Sequence, residues 1–170
     1  MRGRWHVRHV KTIWLLLCLT LPTAVRGQAA DSRAAPPFKT VGAFFALSVA
    51  DLQASAKWYS EKLGLRVVTD APKRDKVAVT VLEGGGLVVE LIQHDGALPL
   101  SNAAPTVPDR QLVHGIFKAG VLVEDFDKTA AMLRARDVEI AYGPFPAREG
   151  QRANVIVRDN SGNLIQFFGK

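Results

Sequence analysis

From residue 41 to its C-terminus, the chain repeats one pattern of strands and a helix twice. Each half begins with an apolar strand, continues with an amphipathic helix that follows an aspartate, and ends with three short strands. The halves match at an offset of 74 residues, where Val49-Ala-Asp51-Leu corresponds to Val123-Glu-Asp125-Phe. Near their ends the offset is 76, and Glu90-Leu-Ile corresponds to Gln166-Phe-Phe. Such a repeat restricts the fold to two copies of one supersecondary unit.

The repeat predicts the same elements in both halves. The first half has four predicted strands, at 41–49, 65–69, 76–82 and 87–93. The second half has four predicted strands, at 113–123, 138–142, 153–157 and 164–168. Asp51 and Asp125 are predicted to cap the two helices, and Gly64 to end the first one. The fold class is therefore α+β, with two βαβββ modules pairing into a curled mixed sheet around a central cavity, helices outside.

The pattern also predicts how the chain is divided. The first module spans 41–94 and the second 112–170, within one domain at 41–170. A stretch rich in Pro, Asn and Ala, at 95–111, joins the modules as a linker.

The N-terminal residues are typical of a secretory signal peptide. Residues 1–27 combine a basic start with a short apolar run and small residues, and residues 28–40 form a flexible lead-in. Because the apolar run has at most 14 residues, a membrane anchor is the less favoured interpretation. The one cysteine, Cys18, lies in this leader. We therefore expect an exported protein, periplasmic or secreted, with no stable membrane insertion after cleavage.

The positive charge of the chain belongs to the leader. The formal net charge is +6, but five of the basic residues precede residue 28, where no acidic residue occurs. The other 17 basic residues face 16 acidic ones, a net charge of +1. This balance, without a basic patch interleaved with aromatics, argues against nucleic-acid binding. A small molecule is the expected partner, and homodimerisation is compatible with paired modules.

Strand alternation identifies the side chains that face the predicted hollow. Successive strand residues point to opposite faces, so alternate residues of the first and last strands face away from the helices. The candidate ligand-binding residues are Phe44, Ser48, Glu90, Lys118, Leu122 and Gln166.

Three segments resemble the vicinal oxygen chelate superfamily, which includes glyoxalase I, extradiol dioxygenases and bleomycin resistance proteins. These segments are Phe44-Phe-Ala-Leu-Ser-Val-Ala-Asp-Leu52, Trp58-Tyr59 with Leu63-Gly-Leu65, and Arg158-Asp-Asn-Ser-Gly-Asn-Leu-Ile-Gln-Phe167. The resemblance implies paired βαβββ modules. It also implies a divalent metal in the hollow, held by inward side chains from the first and last strand of each module.

This chain has substitutions at the positions that the resemblance assigns to metal ligands. They are Phe44 and Lys118 on the first strands, and Glu90 and Gln166 on the last. Phe has no lone pair for a metal, Lys is a cation at neutral pH, and Gln is a weak replacement for a carboxylate. We therefore predict no metal and no other cofactor. His94 and His114 are interpreted as surface or rim residues, with a displaced metal ligand as the alternative.

Glu90 and Lys118 leave three interpretations open. They form a structural ion pair, they help bind a ligand, or they act as weak catalytic candidates, with Lys118 as general base or Schiff-base nucleophile. The loop 143–152, with Phe145 and Arg148, is interpreted as a solvated loop, and a lid over the hollow is the alternative. The expected function is an exported, glyoxalase-like protein that binds a small organic ligand in a metal-free cavity. The alternative is a metal-dependent lyase or isomerase of the glyoxalase or dioxygenase type, using Glu90 and unidentified further ligands.

Overall fold

The computed structural model describes residues 44–170. The predicted signal peptide and lead-in lie outside the described residues. Within this range no helix has the length and apolar character needed to cross a membrane. The elements, in chain order, are β1 (Phe44–Ser48), α1 (Leu52–Leu63), β2 (Arg66–Arg74), β3 (Val77–Gly84), β4 (Leu87–His94), α2 (Leu100–Ala103), a 3-10 helix (Arg110–Leu112), β5 (Ala119–Val123), α3 (Phe126–Ala135), β6 (Glu139–Phe145), β7 (Asn154–Arg158) and β8 (Leu164–Gly169).

The strands form two four-stranded sheets of the same topology. The first sheet has the order β1-β4-β3-β2, and the second has the order β5-β8-β7-β6. In each sheet the first and last strands of the module are parallel, and the other neighbours are antiparallel. This arrangement confirms the predicted α+β class and its two βαβββ modules.

Local sequence signals set the limits of the two long helices. The Asp51 carboxylate accepts a hydrogen bond from the Ala54 backbone N–H at 2.9 Å, which satisfies a donor that the first turn leaves open. Asp125 does the same for Lys128, also at 2.9 Å. Helix α1 ends at Gly64, whose φ of 75° is a left-handed conformation that glycine adopts without steric cost. Both caps and this end are as the sequence predicts.

A single apolar core joins both modules. One face of each sheet contributes side chains to this core. Val89 and Leu91 of β4 are buried in it, together with Ile165 and Phe167 of β8. The alternation predicted from the sequence is therefore confirmed for these strands.

Equivalent positions of the two long helices lie in this core and contact each other at its edge. Tyr59 and Leu133, which lie 74 residues apart, are both fully buried. At the ends of the helices the Lys62 ammonium donates to the Arg136 carbonyl, and the Arg136 guanidinium donates to the Lys62 carbonyl at 3.3 Å. These reciprocal contacts link residues that are again 74 positions apart.

The segment before β5 differs from the prediction. Residues 113–118 were predicted to be strand, but β5 begins only at Ala119. Its single partner, β8, begins at Leu164, and Ala119 pairs in parallel with Ile165, so residues 113–117 lie beyond the start of β8. Gly115, with a φ of 140°, also interrupts the extended chain. Residues 113–118 therefore run irregularly towards the second sheet.

Two strands extend further than predicted. Strand β2 runs to Arg74 and forms the exposed edge of the first sheet, where Pro72 and charged side chains suit an edge strand. Strand β6 runs to Phe145, into the predicted loop. Strand β2 pairs with β3, and strand β6 pairs with β7, both antiparallel. In each pair the neighbouring strand provides hydrogen-bond partners for residues beyond the apolar run from which the strand was predicted.

Candidate functional site

The open face of the first sheet carries the first-module candidates. Because β1 and β4 pair in parallel, Ala46 lies beside Glu90 and Ser48 beside Ile92. Phe44 lies on the same face, with 65% of its surface exposed. These side chains point away from the helices, as the alternation predicts, and they leave this face accessible.

The corresponding face of the second sheet carries Leu122 and Gln166. Leu122 is 68% exposed, whereas Gln166 is buried. The Gln166 side-chain nitrogen donates to the Asn154 side-chain oxygen at 2.9 Å. Gln166 is therefore held within its own sheet by a neighbouring strand.

The donor set around Glu90 does not fit a divalent metal. Its pairing neighbours are Ala46 on β1 and Val81 on β3, neither of which has a donor side chain. Between residues 44 and 170, no three His, Cys, Asp or Glu side chains come together as a metal site. A resident metal normally takes at least three protein ligands of these types. Among the described residues, Glu90 thus has no second metal-ligating side chain beside it.

Lys118 does not pair with Glu90 in the described structure. Lys118 lies one residue before β5, outside the paired residues of the strand. Its ammonium lies 5.6 Å from the centre of the Phe117 ring, a cation–π distance. Among the described ion pairs, none includes Glu90 or Lys118.

A cavity of about 220 Å³ lies between β1 and residues 116–119. Its wall residues are Phe45, Ala46, Leu47, Ser48, Arg110, Ile116, Phe117, Lys118, Ala119, Asn163 and Leu164. Two of the sequence candidates, Ser48 and Lys118, thus meet in one cavity. The wall does not include the other four candidates, Phe44, Glu90, Leu122 and Gln166.

The wall also includes Arg110, Phe117 and Asn163, which the sequence patterns do not indicate as ligand-binding residues. Arg110 belongs to the predicted linker, where no local pattern marks a binding residue. Phe117 lies in the predicted strand 113–123, where alternation assigns it to the core face and not to the hollow. Asn163 belongs to the turn between β7 and β8, within a segment that carries the family resemblance. For Asn163 the family resemblance is a sequence signal, whereas Arg110 and Phe117 have none.

A second cavity, of about 270 Å³, adjoins the first one. The two share Arg110, Phe117 and Leu164 as wall residues. The second cavity also reaches Tyr142 and Arg158, on the open face of the second sheet. The segment containing Arg110 and Phe117 thus contributes to both cavities.

A buried polar network fixes the turn that supplies Asn163. The Tyr59 hydroxyl of α1 donates to the Asp159 carboxylate at 2.9 Å. Asp159 also accepts from the Asn163 side-chain amide at 3.0 Å and from the Asn163 backbone N–H at 2.8 Å. Burial, followed by the charge and hydrogen bond of Asp159, raises the pKa of Tyr59 far above its ordinary value. The neutral hydroxyl therefore remains a donor to the carboxylate.

The remaining candidates lie apart from the cavity wall. His94 accepts a hydrogen bond from the Gly96 backbone N–H at 2.9 Å, just after β4. His114 is exposed in the irregular segment before β5. Phe145 ends β6, and Arg148 forms a local turn with Gln151. The lid role of Phe145 and Arg148 stays a prediction.

Comparison with known proteins identifies the family. The model of the Glyoxalase/Bleomycin resistance protein/Dioxygenase superfamily matches residues 43–167. No curated protein matches the chain in a sequence search.

Solved structures share the fold. A glyoxylase/bleomycin resistance protein/dioxygenase domain from Frankia sp. EAN1pec has a TM-score of 0.60 and 20% identity, covering 78% of this chain and 93% of that chain. The trypanothione-dependent glyoxalase I of Leishmania major has a TM-score of 0.52 and 25% identity, covering 74% and 84%. TnmS3, an antibiotic binding protein from Streptomyces sp. CB03234, has a TM-score of 0.54 and 18% identity, covering 77% and 96%. With the family match spanning most of its length, the chain belongs to the Glyoxalase/Bleomycin resistance protein/Dioxygenase superfamily.

Proposed function

We propose that this chain is an exported binding protein for a small organic molecule, held without a metal in the cavity between β1 and residues 116–119. The observation that carries the proposal is the composition of this cavity. Apolar side chains of Phe45, Ile116 and Phe117 share the wall with the polar side chains of Ser48 and Lys118. Small-molecule sites are typically concave, mostly apolar, and equipped with a few polar groups that orient the ligand.

One structural neighbour supports ligand binding as a use of this fold. TnmS3 is an antibiotic binding protein, and its structure covers 77% of the present chain. At 18% identity this likeness concerns the fold alone, so the ligand has to be inferred from the cavity itself.

The donor chemistry supports the metal-free part of the proposal. Glu90 has apolar pairing neighbours, and Lys118 brings a positive charge to the cavity wall. A fixed ammonium repels a divalent ion and attracts an anionic or carbonyl oxygen. We therefore expect ligand binding to need no added metal.

A library screen by thermal shift, with the purified chain and a chelator present, tests the binding function. Hits should raise the melting temperature, and Phe117→Ala should weaken their binding because it removes an aromatic wall. Phe44→Ala is the matched control, since Phe44 is also a phenylalanine of this region but lies outside the cavity wall. An absence of hits, or equal weakening by both variants, would contradict the proposed site.

Glu90→Gln separates this proposal from the metal-dependent alternative. Glu90 does not line the cavity, so this variant should bind the hits as the unchanged chain does. The alternative requires the Glu90 carboxylate as a ligand. It predicts that the variant loses binding and that a divalent ion raises the melting temperature of the unchanged chain only.

Export is tested separately. The leader 1–27 supports it through its basic start, its short apolar run and its small residues. Expression of the full chain in a bacterial host should give a shortened product outside the cytoplasm, beginning after Gly27 or Ala29. A full-length product retained in the cytoplasm would contradict export.

The proposal includes homodimerisation. Phe44 and Leu122 present large apolar side chains on the open sheet faces, and exposed apolar patches often mark association sites. Light scattering on the purified chain should give twice the monomer mass, and a monomer at high concentration would contradict it.

A further inference from the structure

The proposed ligand cavity contains two basic side chains and no acidic one. Arg110 and Lys118 both line it, and none of its wall residues is Asp or Glu. Among residues 44–170, neither side chain lies within ion-pair distance of a carboxylate. The cavity wall therefore has a positive charge that its own residues do not balance.

Arg110 is oriented by a neutral partner. Its guanidinium donates to the Asn163 side-chain oxygen at 3.2 Å. The Asn163 amide nitrogen donates in turn to the buried carboxylate of Asp159, which determines that the oxygen faces Arg110. A guanidinium has five N–H donors, and this contact uses one of them. The others can bind an anion without breaking the contact that positions the side chain.

The adjoining cavity shows a different charge pattern. There Arg158 pairs with Glu139 at 2.9 Å. Asp109, also in that wall, accepts two hydrogen bonds from Gln111, at 3.0 and 3.1 Å. The adjoining wall shares Arg110 but contains an acidic residue, Asp109, whereas the wall that contains Lys118 has no acidic residue.

We propose that the ligand of this cavity is an organic anion with an apolar body. The anionic group binds between Arg110 and Lys118, and the body packs against Ile116, Phe117 and Leu164. Charge-assisted hydrogen bonds from Arg and Lys are stronger than neutral ones. This inference rests on the proposed function and specifies its ligand class.

Matched probes test the charge requirement directly. Phenylacetate and phenylacetamide have the same apolar body and nearly the same size, but only the first is an anion. We expect the purified chain to bind phenylacetate at least about tenfold more tightly, the factor that one charge-assisted hydrogen bond supplies. Calorimetry at low ionic strength measures both dissociation constants, and added salt should weaken phenylacetate binding alone.

Variants assign the effect to this cavity. Arg110→Gln and Lys118→Gln should each weaken phenylacetate binding by about tenfold and leave phenylacetamide binding unchanged. Arg134→Gln and Lys57→Gln are the matched controls, because each removes one exposed cation outside the cavity wall. Their melting temperatures, compared with those of the test variants, show whether each variant is folded.

The outcomes separate this inference from the proposed function. Equal binding of the two probes, or equal weakening by cavity and control variants, would overturn the anion preference. In that case, neutral library compounds whose binding is weakened by Phe117→Ala would still support the proposed binding function. Failure of both probes to bind also overturns the anion inference, and the library screen alone then decides the proposed function.

Discussion

At the scale of single residues, Tyr59 and Asp159 form the most informative contact. The two side chains come from different modules, and both are buried, with 0% and 3% of their surfaces exposed. The neutral hydroxyl donates to the carboxylate, while Asn163 and Ser161 provide the other donors that this carboxylate needs. Since Asn163 lines the proposed cavity, this contact connects the core to the site.

Removal of the Tyr59 hydroxyl should destabilise the fold. Tyr59→Phe should lower the free energy of unfolding at pH 7 by about 1–3 kcal/mol, because it removes a donor to a buried charge. Tyr142→Phe is the matched control, since Tyr142 is half exposed. Urea denaturation measures both, and equal losses in the two variants would contradict a special role for the Tyr59–Asp159 bond.

The raised pKa of Tyr59 also predicts a pH dependence. Below its ordinary value of 10.0, Tyr59 is neutral in both folded and unfolded chains, so the stabilising contact is fully present. Above pH 10 the unfolded chain loses this proton while the folded chain keeps it, so stability falls by up to about 1.4 kcal/mol per pH unit.

Denaturation at several pH values around 10 measures that slope. Tyr59→Phe should lack this part of the decrease, and Tyr142→Phe should retain it. Parallel decreases in the unchanged chain and in Tyr59→Phe would contradict the raised pKa.

At the scale of elements, the two long helices depend on equivalent caps. Asp51→Ala and Asp125→Ala should each lower the free energy of unfolding by about 1 kcal/mol, because a first-turn N–H loses its acceptor. Asp51→Asn and Asp125→Asn should retain most of the stability, since Asn caps as well as Asp does. Chemical denaturation measures all four variants, and equal losses for Ala and Asn would contradict the cap.

The sequence predicts the limits of the helices but not the position of Arg110 in the cavity wall. The helix limits follow from Asp51 and Asp125, which cap the helices, and from Gly64, which ends α1. These contacts involve residues close in the sequence, so local patterns predict them. Strand alternation assigned Lys118 to the hollow, but Lys118 lies one residue before β5, and its register with β8 ends at Ala119. Arg110 reaches the cavity through the path of the linker and its bond to Asn163, which no local pattern specifies.

At the scale of the whole molecule, contacts between modules define the candidate site. Arg110 belongs to the linker and Lys118 to the second module, whereas Ser48 belongs to the first strand. The Ser55 hydroxyl contacts the Ser161 hydroxyl at 3.2 Å, and the Asn160 amide donates to Ser55, also at 3.2 Å. The cavity therefore depends on the docking of the two modules.

The cavity between β1 and residues 116–119 is proposed to bind its ligand without a metal. The most direct measurement is calorimetric titration of phenylacetate into the purified chain, with and without EDTA, and after addition of zinc or manganese. We expect the same dissociation constant in all these conditions, and a dissociation constant about tenfold higher in Lys118→Gln. Binding that disappears with EDTA, returns with the metal and requires the Glu90 carboxylate would contradict metal-free binding.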